Sequence, residues 1–85
     1  MESYNVFIKP SAAKELERIP LKDRRRVARR IAALAGDPRP PGCEKLTGEN
    51  AFRIRQGNYR IVYTVEDEVL TIVVIKVGDR KDVYR

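Results

Sequence analysis

The chain has 85 residues, with 18 Lys or Arg against 12 Asp or Glu and a formal charge of +6, so one small basic domain spanning 1–85 is expected. Histidine is absent, which removes the commonest neutral-pH base and metal ligand, and a lone cysteine, Cys43, excludes an internal disulfide or a thiolate metal cluster and fits a reducing, cytoplasmic setting. The longest nearly apolar run, Val69 to Val77, falls far short of the ~20 residues a helix needs to cross a bilayer, and no basic-then-apolar leader opens the chain, so no membrane partner is expected.

Alternation of Tyr4, Val6 and Ile8 predicts a short strand that stops before Pro10, which has no N–H for a sheet ladder. Ser11 is placed as the N-cap of a brief helix through Ala12, Ala13, Leu16 and Ile19, closed by Pro20. From Leu21 to Ala35, Val27, Ile31 and Leu34 recur at helical spacing, with Arg25, Arg26, Arg29 and Arg30 on the other angles. Gly36, Asp37, Pro38, Pro40, Pro41 and Gly42 then break regular structure. Beyond them the period changes to two, and Gly57-Asn58 predicts a tight hairpin between strands at Phe52 and Tyr59–Val65. A reversal at Glu66-Asp67-Glu68 leads into a last strand, Val69–Val77. The fold class expected is α+β, with helices packed on one face of an antiparallel sheet.

A two-residue turn at Gly57-Asn58 sets Arg55 opposite Arg60, Ile54 opposite Ile61 and Arg53 opposite Val62. Side chains alternate, so Phe52, Ile54, Ile61 and Tyr63 share one face and Arg53, Arg55 and Arg60 the other. Like charges held ~5 Å apart repel by about 1 kcal/mol in water, and an anion relieves that cost. A turn at Asp67-Glu68 adds Val62, Thr71, Val73, Ile75 and Val77 to the arginine face, which makes it more a partner surface than a solvated exterior. Guanidinium forks match phosphate oxygens in pairs, so a nucleic-acid backbone is the natural anion. Gly78 is expected to let the tail bend back and carry Arg80 and Tyr84 to this face. Three acids at 66–68 read as a solvated turn rather than a cation site, and no metal or cofactor is expected.

Four stretches in this order carry a family resemblance: PSAAKEL (Pro10–Leu16), KLTG (Lys45–Gly48), FRIRQGNYRIVY (Phe52–Tyr63) and VGDRKDVY (Val77–Tyr84). Together they resemble the RelE/ParE superfamily of toxins from toxin-antitoxin pairs, in its RelE-like branch. The resemblance implies two N-terminal helices packed on a four-stranded antiparallel sheet. It further implies a ribosome-dependent mRNA endoribonuclease, silenced by a cognate antitoxin and needing no metal.

The family's catalytic positions fall on Arg53, Arg55, Arg60, Arg80 and Tyr84. Arg25, Arg26, Arg29, Arg30, Lys81 and Arg85 are the further candidates for RNA contact. Some RelE proteins have lysine where Arg53 and Arg55 stand, and a permanently charged arginine is a poor base. Tyr84 is the remaining candidate base, or a ring that stacks on a base. Two other readings keep the fold: a ParE-like inhibitor of gyrase, and a binding module that cuts nothing.

Overall fold

The computed structural model describes residues 3–48 and 50–79. In chain order they form β1 (Asn5–Ile8), α1 (Pro10–Glu17), α2 (Leu21–Ala33), β2 (Glu44–Lys45), β3 (Ala51–Gln56), β4 (Tyr59–Glu66) and β5 (Thr71–Asp79), with a short 3-10 turn at Asp67–Val69. The α+β class is as expected. The expected sites Arg80, Lys81, Tyr84 and Arg85 lie outside the described residues.

Pro10 occupies the first turn of α1, where a missing N–H costs nothing and a fixed φ suits the helix. The cap position is therefore Lys9 and the expected Ser11 cap is not made; Ser11 is already helical. At the other end Arg24 folds back, its Nε donating to the Ile19 carbonyl and its Nη2 to that of Glu17, both at 3.1 Å. Those bonds satisfy carbonyls freed where α1 stops and clamp the corner at Pro20. Helix α2 ends at Ala33, short of the expected Ala35, because the N–H groups of Leu34, Ala35 and Gly36 turn to carbonyls three residues back and tighten the last turn.

The sheet has five strands in the order β1-β5-β4-β3-β2, where four antiparallel strands were expected. Strand β1 runs parallel to β5, from Asn5 against Thr71 to Ile8 against Val74, and β2 pairs antiparallel with β3 through Glu44–Arg53 and Lys45–Phe52. Two adjacent charged residues offer no alternation by which to recognise β2. The sense of β1 depends on where two helices return the chain, which no local pattern encodes.

One core lies between the helices and one sheet face. Ala12 from α1, Val27 and Ile31 from α2 and Leu34 just past its end meet Phe52, Ile54, Ile61, Tyr63, Val65, Ile72, Val74 and Val77, all buried. Val77 corrects the expected register. Val62 pairs with Lys76 but Tyr63 with Val74, so Ile75 is an extra residue in β5. That bulge turns Val77 from the arginine face into the core, while Thr71, Val73 and Ile75 remain half-buried. The preceding reversal is also longer than the expected two residues. Glu66 pairs with Thr71 across the 3-10 turn, and Leu70 closes it at φ 46°.

Candidate functional site

The β3–β4 pairing has the predicted register: Arg55 against Arg60, Arg53 against Val62, Ile54 against Ile61. Gly57 makes the turn possible with φ +62°, a left-handed conformation that carries a steric cost for any residue with a Cβ. With Phe52, Ile54, Ile61 and Tyr63 fixed in the core, alternation puts Arg53, Arg55 and Arg60 on the opposite face.

The three arginines are not equivalent. Arg55 is exposed. Arg60 is 1% exposed, far more buried than an open sheet face suggests. Its cross-strand partner is Gly78, and a residue with no side chain leaves room for a long one beside it. Gly78 therefore continues β5 instead of bending the chain, which corrects the expected turn there. A cavity of about 40 Å³ joins Arg60 to Arg55 and the Gly57–Asn58 turn.

Arg53 has a partner that sequence reading missed. Its Nη2 donates to Glu44 Oε2 at 2.9 Å, the Arg53 side chain being 19% exposed and that of Glu44 50%. The buried Nε of Arg53 has no partner among the described residues. Glu44 thus places a proton acceptor on the arginine face, one strand from Arg53 and diagonal to Arg55. Strand spacings of roughly 4.8 Å across and 6.7 Å for two residues along set that separation at the backbone. Only the pairing of β2 reveals it, since Glu44 stands alone in sequence.

A second missed cluster holds the loop that delivers β2. Arg39 donates to both oxygens of Asp67, at 3.2 and 2.8 Å, and Tyr4 donates to Oδ1 at 2.6 Å. These bonds hold the Asp67 carboxyl below its ordinary pKa and push the Tyr4 phenol above its own. Arg39 also lies over Phe52, 5.1 Å from the ring centroid. Asp67, half-exposed on a solvated turn, is therefore also a clasp between loops. Nearby, the buried Tyr63 stacks on Phe52 and donates to the Pro38 carbonyl at 2.7 Å, and burial pushes its phenol up to about 12. Cys43, half-buried, packs against the same core.

The arginines of α2 divide. Arg26, Arg29 and Arg30, with Ala33, are spaced as one helical stripe and line a groove of about 300 Å³ against Gln56 of β3. Arg25 is exposed and outside that groove. No described helix is long and apolar enough to cross a membrane.

Residues 6–84 match the family model described as ParE toxin of type II toxin-antitoxin system, parDE. The chain belongs to this toxin family. A putative RelE-like toxin protein of Escherichia coli is 29% identical over 85 residues, spanning 95% of this chain and 90% of that protein. The toxin RelG of Mycobacterium tuberculosis is 44% identical over 34 residues, a match that spans 40% of this chain and only 39% of RelG. Among solved structures, the RelBE toxin-antitoxin complex of Mycobacterium tuberculosis aligns with a TM-score of 0.83 at 28% identity, covering 94% of each chain. The resemblance inferred from four short motifs therefore holds along nearly the whole chain: this is a RelE-like toxin of a type II toxin-antitoxin system.

Proposed function

We propose that this toxin is an mRNA endoribonuclease that acts in the ribosome and is neutralised by a cognate antitoxin. The observation that carries the reading is the constellation on the outer sheet face: Arg55 paired with Arg60, and Arg53 held beside the Glu44 carboxylate. RNA brings its own nucleophile. Attack of a 2′-oxygen on the adjacent phosphorus forms a 2′,3′-cyclic phosphate and breaks the bond to the 5′-oxygen, which takes up a proton as it leaves. Arg53, Arg55 and Arg60 hold the phosphate and neutralise its growing charge. Glu44 accepts the 2′-hydroxyl proton, a role none of the hairpin arginines can fill. Arg80 offsets the charge on the leaving oxygen, and Tyr84 stacks on a neighbouring base.

The antitoxin follows from the relatives solved with one. On this chain the half-apolar outer face, with Phe7 59% exposed beside Val73 in the β1–β5 pairing, and the cationic surface suit an acidic partner.

Cleavage of mRNA on programmed ribosomes tests the reading. Arg60→Ala and Glu44→Gln are each expected to slow cleavage 10²-fold or more, with products ending in cyclic phosphate. A pH profile separates the base. The rate of Glu44→Gln should climb more steeply with pH than that of wild type, by about tenfold per unit, as hydroxide takes over. Wild-type rates in both variants would remove the site. Inhibition of gyrase supercoiling by the purified chain, without mRNA cleavage, would favour the ParE-like alternative.

A further inference from the structure

Three hollows around the β3–β4 hairpin tip form one path. The small cavity at Arg55 and Arg60 shares Gly57, Asn58 and Tyr59 with a second of about 220 Å³, which also meets Asp23 and Arg26 of α2. That second cavity shares Arg26 and Gln56 with the groove along Arg29 and Arg30. Among the described residues the walls carry, from end to end, Arg55, Arg60, Arg26, Arg29 and Arg30 against one carboxylate, that of Asp23.

We infer that this trench is the path of the single RNA strand flanking the cleaved linkage, which leaves the sheet face, turns over the hairpin tip and runs along α2. The inference rests on the cleavage reading above for the identity of the strand's reacting end, but concerns binding alone.

Three features select a single strand. The path bends around the end of a hairpin, which a flexible single strand follows and a stiff duplex does not. Its cations are arginines in a helical stripe, suited to successive phosphates rather than to one ion. Midway the half-buried Tyr59 lines the path between two cationic stretches, and an aromatic side chain beside clustered cations is the combination that holds single strands without reading sequence. An acidic peptide fits less well. Among the described residues, apart from Ala33 and Tyr59, the trench presents no apolar wall in which a peptide side chain could anchor. A hollow of about 220 Å³ on another side of Tyr59, walled by Glu15 and Asp79 with Arg18, has the wrong field for phosphate and ends the path there.

The test uses the full chain and fluorescein-labelled, fully 2′-O-methylated oligouridylates of eight and two residues, which cannot be cut, with affinity read by anisotropy over a salt series. The octamer is expected to bind at least tenfold tighter than the dimer. The double variant Arg29→Gln/Arg30→Gln should weaken the octamer at least tenfold and lower its log–log salt slope by ~1.4, at ~0.7 per phosphate contact, while leaving dimer binding unchanged. The charge-matched Lys14→Gln/Lys22→Gln, both exposed, should leave that slope nearly unaltered.

Equal loss for octamer and dimer, an equal effect of the lysine pair, or displacement of the octamer by an octaglutamate peptide at equal concentration would each overturn the inference. So would an octamer bound no tighter than the dimer. Because the probes are uncleavable, loss of ribosomal cleavage in Glu44→Gln with the octamer result intact would concern the chemistry alone, and the reverse pattern the path alone.

Discussion

Replacing Tyr63 with Phe removes one oxygen from the best-defined joint between the sheet and the loop that delivers Glu44. The ring stays in place, stacked on Phe52 with centroids 5.9 Å apart, so packing is retained and the loss is the bond to the Pro38 carbonyl at 2.7 Å. A half-buried carbonyl left without that donor costs about 1–2 kcal/mol, or roughly 4–16 °C in Tm for a domain of this size. At high pH the sign of the difference changes. The folded phenol ionises at about 12 against 10 when free, so between these values the unfolded chain has released a proton that the folded chain retains. Stability supplied by the neutral phenol is complete below pH 10 and falls as pH rises, by about 2.3 kcal/mol at pH 12. Tyr63→Phe has no phenol to lose. The variant should therefore be less stable than wild type at pH 7, draw level near pH 11 and exceed it by pH 12. Denaturant unfolding of both proteins across pH 7–12, with phenolate absorbance followed in parallel, measures the crossing. Parallel curves, or equal stability at pH 7, would refute the claim that this hydroxyl is buried and bonded as described.

Other perturbations separate the remaining supports. Gly57→Ala meets no atom within 4 Å of the added Cβ, so its cost is purely the φ of +62°, about 1–2 kcal/mol, and thermal unfolding should show a fall of several degrees. The Asp67 carboxyl, held low by Arg39 and then Tyr4, contributes stability that is present above pH 3.8 and lost as pH falls through its lowered folded value. Asp67→Asn should abolish that acid limb in a pH titration of Tm, and an unchanged limb would show that the clasp does not form. Glu44→Gln should keep the wild-type Tm within a few degrees, because a half-exposed ion pair is worth little, so a large loss of cleavage in that variant would be chemical rather than structural.

Much of this protein was legible in the order of its residues because the deciding signals are local. Two periodicities located the helices and the hairpin, and the Gly57-Asn58 turn set a register that aligned Arg55 with Arg60 while burying Ile54 and Ile61. Side-chain alternation follows from backbone geometry, so a correct turn carried the whole arginine face with it. Ser11 shows where local signals mislead, since Pro10 can begin a helix and so moves the cap two residues earlier than the hydroxyl suggests, to Lys9.

Long-range pairing decided the rest. The parallel sense of β1, the charged strand β2 that brings Glu44 to Arg53, the bulge at Ile75 that turns Val77 inward, and the clasp joining Tyr4, Arg39 and Asp67 all depend on segments that meet only when the chain closes. Sequence spacing fixes which way a side chain points along its own strand, whereas its neighbour on the next strand is chosen by the packing of the entire sheet. For that reason the cations could be read from the sequence and their carboxylate could not.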